Sequence, residues 1–192
     1  SGTIPDAAYY DKWYGHHRWA FSTIRSISIG QGEVMLTPLH MANIAAIIAN
    51  RGWYITPHFV KSIGKDGPLP EFRKKHYAMV ESRHYATIVE GMRRVVHEPG
   101  GTGKRAQLKD IIVCGKTGTV QNPHGDDHSV FVAFAPMYKP KIAIAVFIEN
   151  AKGGGGLWAA PTAGLMIEKY LTRKITEKER EKIILEANFA YK

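Results

Sequence analysis

A single cysteine, Cys114, leaves the chain without any internal disulfide. Long apolar runs are missing as well. The longest, Ile142 to Ile148, falls far short of the ~20 residues a membrane-spanning helix needs. No basic, apolar leader opens the chain. Neither of two glycine–lysine sites completes a Walker-type phosphate loop. Before Gly103-Lys104, Glu98 stands where the first glycine belongs, and Arg105 replaces the hydroxyl residue. Before Gly115-Lys116-Thr117, Asp110 takes the first glycine's place. The run Gly153-Gly154-Gly155-Gly156 lacks the strand–GxGxxG–helix spacing of a dinucleotide fingerprint and reads as a flexible turn. No aromatic-rich segment with interleaved basic residues points to nucleic acid, and none is expected as a partner.

What is present suits a globular domain, or part of one. Its 192 residues are 44% hydrophobic and 22% charged, enough to bury a core. Lys and Arg number 26 against 17 Asp and Glu, a net charge of +9. Such a balance favours anionic partners, a membrane surface or an acidic wall polymer among them, and equally a plain solvated surface. Residues 1–29 carry Trp13, Tyr14, Trp19 and Phe21 without a clean period, which predicts loop with short helical pieces and packing aromatics. The adjacent pair His16-His17 makes a poor metal site.

Helices are expected over 37–50, 82–98 and 157–171. Thr37 caps the first, Pro38 fits its first turn, and its apolar residues on most sides predict a core helix. In the second, Tyr85, Ile88, Val89, Met92, Val95 and Val96 recur at helical spacing, leaving Arg83, Glu90, Arg93 and Arg94 to solvent. Residues 53–63 read as extended and 64–70 as a surface turn. Three strands, at 111–120, 130–135 and 141–148, form an antiparallel meander, and the last two are apolar enough to be covered on both faces. The fold class is α+β, an antiparallel sheet flanked by helices. Thr176-Glu177-Lys178-Glu179 predicts a capping box that opens a charged helix to about Asn188.

The chemistry concentrates at Ile111-Ile112-Val113-Cys114-Gly115-Lys116-Thr117-Gly118-Thr119-Val120. An ammonium does not leave water without a partner, so Lys116 in an apolar strand calls for a reason. Strand alternation sends Lys116 one way and Thr117 and Thr119 the other. Gly118 lets a ligand approach the backbone. Hydroxyls, a cation and backbone N–H groups together suit a carboxylate or an oxyanion. Two other clusters carry weaker signals. His124, Asp126, Asp127 and His128 have zinc-type residues, but Pro123 and Gly125 preclude a helix aligning the histidines, which favours a polar hairpin loop. Cys114 could be an activated thiolate only with a histidine beside it, and is expected as a buried strand residue.

Lys116-Thr117-Gly118-Thr119 resembles the Lys-Thr-Gly motif of penicillin-binding proteins and serine β-lactamases. Further segments resemble class B transpeptidases: Ser28-Ile29-Gly30-Gln31-Gly32 with Thr37-Pro38-Leu39, then His128-Ser129-Val130-Phe131-Val132-Ala133-Phe134-Ala135-Pro136. Val146-Phe147-Ile148-Glu149-Asn150 before the glycine run resembles the elongation-type members, penicillin-binding protein 2-like. The likeness runs from about Gly30 to Tyr170. It implies the penicillin-binding-protein/serine β-lactamase fold. Residues 1–171 would then be the C-terminal part of a transpeptidase domain, and residues 172–192 a charged helical tail.

That family also uses a Ser-x-x-Lys, with the nucleophile, and a Ser-x-Asn. No Ser-x-Asn occurs here. The sole Ser-x-x-Lys is Ser62-Ile63-Gly64-Lys65, where Gly64, Gly67 and Pro68 break the helix that the pair requires. The nucleophile is therefore expected upstream of Ser1, and the chain alone is expected to be inactive. The resemblance implies D,D-transpeptidation, with Lys116 and Thr119 catalytic and Thr117, Gly118 and Thr119 binding substrate. It implies no cofactor and no metal. Its implied partners are peptidoglycan stem peptides, β-lactams, the missing N-terminal half of the domain and the cell-wall elongation machinery. The implied location is the periplasmic side of the inner membrane, with the anchor upstream. A β-lactamase or β-lactam sensor on the same fold, and a non-catalytic scaffold, are the alternatives.

Overall fold

The computed structural model describes residues 2–65 and 67–189. The chain divides into two compact units, residues 1–40 and 41–192.

The first unit holds two short helices, α1 (Ala7–Tyr14) and α2 (Phe21–Ser28). The Asp6 carboxylate caps α1 by accepting the Tyr9 N–H at 2.8 Å. Tyr10 is the buried centre, with the rings of Tyr9, Tyr14 and Trp19 packed about it. Tyr10 and Tyr14 both donate their hydroxyls to Glu33, and the Tyr14 bond above all holds the Glu33 carboxyl below its usual range. The expectation that the early aromatics serve packing holds for Trp19. Trp13 and Phe21 instead lie largely in solvent, because each helix is too short to cover more than one side.

α3 (Pro38–Ala49) follows, with the Thr37 hydroxyl accepting the His40 N–H at 3.2 Å as the cap expected from sequence. Its burial differs from expectation. Only Ala45 and Ala49 are buried, while Leu39 and Ile44 are 47% and 44% exposed, so an all-round apolar helix is covered on one side.

In the second unit, β1 (Trp53–Ile55) pairs antiparallel with β2 (Lys75–Tyr77), a ribbon whose second strand carries no period-2 signal in the sequence. The exposed turn near residue 64 lies between them; Asp66 is outside the described residues. α4 (Tyr85–His97) buries Tyr85, Val89, Met92 and Val96, a stripe at helical spacing.

Three strands form the main sheet in chain order: β3 (Cys114–Val120), β4 (His128–Ala135) and β5 (Ile142–Ile148), all antiparallel. The meander is as expected, except that β3 starts at Cys114 rather than Ile111. The carbonyl of Ile112 accepts the Met137 N–H at 2.9 Å, and the Val113 N–H goes to His97 Nε2 at 3.1 Å, so neither joins the ladder. Both faces of the sheet are covered. On one, Phe131, Ala133 and Ile144 pack with Ala159, Ala160, Ala163 and Ile167 of α5 (Ala159–Thr172). On the other, Cys114 and Phe134 pack with Ala49, Val89 and Met92.

α6 (Lys178–Glu186) closes the chain. The predicted capping box does not form. Thr176 spends its hydroxyl and its N–H on the buried carboxylate of Glu168 in α5, and no side chain caps α6. A buried carboxylate without donors is costlier than an uncapped, exposed helix end.

On the exposed side of α4, Glu90 accepts from Arg93 Nε and Nη2, each at 2.9 Å, and from Arg94 Nε at 3.0 Å. These bonds pull the Glu90 carboxyl from 4.5 to about 2. A folded value below the unfolded one stabilises the fold fully above the unfolded pKa. That contribution disappears as pH falls through the folded pKa. Glu90→Gln should therefore lose less stability than the parent between about pH 5 and about pH 2.5. Urea midpoints at the two pH values check this, and equal losses in both proteins would refute it.

Candidate active site

β3 changes character along its length. Cys114 and Gly115 are buried, Lys116 is exposed, Thr117 and Gly118 are half-buried, and Thr119 is exposed. Lys116 thus pays no desolvation cost, which corrects the expectation of a lysine held in an apolar setting. It sits where the strand leaves the core. Cross-strand partners are Val132 for Lys116, Phe131 for Thr117 and Ser129 for Thr119.

The sheet order leaves β3 with one edge turned away from β4. Along such an edge, every second residue directs its N–H and C=O outward. The Lys116 ammonium donates to the Thr117 carbonyl at 2.7 Å. Within four residues this edge strand carries an exposed cation and two threonines.

Two loops that the sequence left as connectors pack on the threonines of this strand. Thr102, in the loop after α4, shares a 2.8 Å hydrogen bond between its hydroxyl and that of Thr117. The four-glycine run is no flexible turn. Gly155 N–H donates to the Gly118 carbonyl at 3.1 Å. A Cβ on Gly155 would lie 2.0 Å from the Val130 oxygen, and one on Gly154 would lie 2.7 Å from the Thr119 hydroxyl. One on Gly156 would lie 2.2 Å from the Thr102 oxygen. Only residues without side chains pass this close to the strand. A lone glycine run gave no hint of what it would pack against.

Ser129 joins these parts. It is fully buried, donates to the Gly154 carbonyl at 3.1 Å and accepts the Ala159 N–H at 3.0 Å, capping α5 from the neighbouring strand. Those bonds and that burial leave it no nucleophilic role. Ser62 and Lys65 are exposed in an irregular turn, with Gly64 at φ +59°, and share no helix face. Burial pushes the Cys114 thiol up to about 11, so it stays protonated.

The polar hairpin loop is structural. His128 Nδ1 accepts the Asn150 N–H at 3.1 Å, Asp127 Oδ1 accepts the Asn122 N–H at 3.3 Å, and Asn122 Nδ2 donates to Asn150 Oδ1 at 2.8 Å. These bonds tie the β3–β4 turn to the start of the glycine run. Among the described residues no three His, Cys, Asp or Glu side chains gather as a metal site. Nor is any helix among them long and apolar enough to cross a membrane.

Residues 7–168 match the penicillin binding protein transpeptidase domain. The chain belongs to that family. It is 32% identical to the peptidoglycan D,D-transpeptidase MrdA of Haemophilus influenzae, over 94% of this chain and 30% of that protein. Pseudomonas aeruginosa PBP2, solved in complex with WCK 5153, superposes with a TM-score of 0.78 at 29% identity, over 92% of this chain and 39% of that one. Penicillin-binding protein A from M. tuberculosis, solved as a penicillin G acyl-enzyme complex, matches with a TM-score of 0.60 at 34% identity, over 76% and 34%. The chain thus spans about a third of the length of these relatives.

Two glycines test how tightly the edge is built. Gly155→Ala should cost about 1–3 kcal/mol through overpacking. Gly91→Ala, at a place in α4 with no neighbouring atom within 4 Å, should instead gain about 1 kcal/mol from helix propensity. Urea denaturation of both variants reads the difference; equal effects would mean that the glycine run is loosely held.

Proposed function

We propose that this chain is the C-terminal part of an elongation-type peptidoglycan D,D-transpeptidase, and that its β3 edge is the electrostatic half of the active site. The observation that carries this is that β3 is an edge strand of the sheet among the described residues, with Lys116 exposed and Thr117 and Thr119 packed by Thr102 and the glycine run. Residues 1–171 belong to the transpeptidase domain and residues 172–192 form its charged tail.

The reaction needs a serine, supplied from upstream of Ser1. Its oxygen attacks the carbonyl of the penultimate D-alanine, the C–N bond breaks, and the terminal D-alanine leaves with a proton on its amine. An amine of a neighbouring stem peptide then attacks the ester, forming the cross-link and returning the serine hydroxyl. Lys116 supplies positive charge beside the nucleophile and holds the serine of the upstream Ser-x-Asn. Thr117, Gly118 and Thr119 receive the terminal carboxylate of the peptide or of a β-lactam, with Thr102 fixing the Thr117 hydroxyl. The Thr119 N–H contributes one of two oxyanion donors; such a donor is typically worth ~3 kcal/mol in the transition state.

The uncovered apolar residues of α3 and the outer edge of β5 suit burial against the upstream half of the domain. The parent protein would sit on the periplasmic side of the inner membrane through an upstream anchor, among the elongation machinery. That Ser129 is buried and Ser62 lies in a turn favours an inactive isolated chain.

Intact mass spectrometry with a fluorescent penicillin tests this. The 192-residue chain should carry no adduct, and joining the upstream half should restore labelling. In the joined protein, Lys116→Ala should slow acylation at least about tenfold, the loss of one favourable charge at the site, while its melting temperature barely moves. An adduct at Ser62 on the isolated chain would overturn the assignment of the nucleophile; parent-rate acylation by the Lys116 variant would overturn the site.

A further inference from the structure

The segment Lys104-Arg105-Ala106-Gln107-Leu108-Lys109 alternates between core and solvent. Ala106 is fully buried and Leu108 is 6% exposed, while Lys104, Arg105 and Lys109 project outward. The segment begins as a single 3₁₀ turn, Lys104–Ala106, pinned from two sides. A Cβ on Gly103 would press on the Phe131 ring at 2.9 Å, and one on Gly164 of α5 would meet Ala106 at 3.1 Å. A basic segment fastened this closely to the core presents its charges from a rigid base. α6 brings a further cation, Arg180, from far along the chain.

Together Lys104, Arg105, Gln107, Lys109, Glu177 and Arg180 line a surface pocket of about 430 Å³. Four cations face one carboxylate there. Glu177 is taken up by Arg180 at 2.6 Å. Arg180 also reaches the Gln107 carbonyl at 3.5 Å, and Arg105 the Leu157 carbonyl at 3.4 Å. Among the described residues, Lys104 and Lys109 have no ion pair. Like charges drawn together repel unless an anion joins them.

We infer that this pocket is a binding site for a multiply charged phosphate group. An excess of three positive charges matches a phosphate dianion or a pyrophosphate better than a single carboxylate. Arginine supplies forked donors for phosphate oxygens and lysine supplies point charge. The site involves none of the β3 edge residues and does not depend on the transpeptidase reading.

Titration of the 192-residue chain with pyrophosphate at low ionic strength tests it, because exposed charges are screened by salt. Saturable binding is expected. Lys104→Ala with Lys109→Ala should weaken it at least about tenfold, whereas Lys61→Ala with Lys65→Ala, an equal loss of charge elsewhere, should change it less than about twofold. Glu177→Gln should tighten binding by freeing Arg180, and Glu149→Gln, with the same change in net charge, should not. Vesicles containing phosphatidylglycerol separate the two sources of the phosphate. Vesicle binding that pyrophosphate competes away, and that the Lys104/Lys109 variant loses, makes the group a lipid headgroup. Pyrophosphate binding without vesicle binding makes it a soluble phosphate. Absence of saturable binding, or equal weakening by both lysine pairs, overturns the site.

Discussion

The close approach of a side-chain-free turn to the β3–β4 backbone is the constraint on which the site depends. At Gly155 there is no room for a methyl group beside the Val130 and Gly118 oxygens. Because the turn lies so close, the Gly154 carbonyl reaches buried Ser129, and Ser129 in turn caps α5. One contact therefore fixes the strand, the turn and the start of the helix over the core. Asn122, His128 and Asn150 secure the far end of the same turn. Thr102 and the glycine run thereby hold the Lys116–Thr119 stretch of the strand in one arrangement.

The placement of Lys116 follows from the same geometry. Gly115 leaves space for the Phe131 ring, which a Cβ there would strike at 2.3 Å. The aromatic ring fills the core beneath the strand, and the next residue emerges at the surface. A lysine here keeps its hydration and offers its charge along the edge at little cost to stability. Thr102 completes the arrangement from a loop that also leads into the basic segment at 104–109. The two regions share a scaffold, the loop after α4 packed on Phe131, while presenting different chemistry.

The motif and the order of the elements were legible because they rest on local rules. Thr37 and Pro38 mark a helix start wherever they precede an apolar run, and the α4 stripe repeats at helical spacing. The meander expected over 111–148 followed from short apolar runs and short connections. Less visible was everything decided by distant partners. Thr176 satisfies the rule for a capping box, but the buried Glu168 carboxylate competes for its donors and wins, because leaving that charge unsatisfied costs more than an uncapped helix. β2 went unseen because three residues, Lys75–Tyr77, hold too little pattern to betray a partner in β1.

By itself the sequence determined the family resemblance, the three-stranded meander and the principal helices, since each is a property of neighbouring residues. Only the tertiary structure decided that the glycine run is a packed brace, that Ser129 is spent as a cap, that Lys116 is exposed and that Thr102 and Arg180 join their respective clusters. Each of those depends on which atoms a fold brings within a few ångströms across tens of residues, and spacing along a chain carries no record of that.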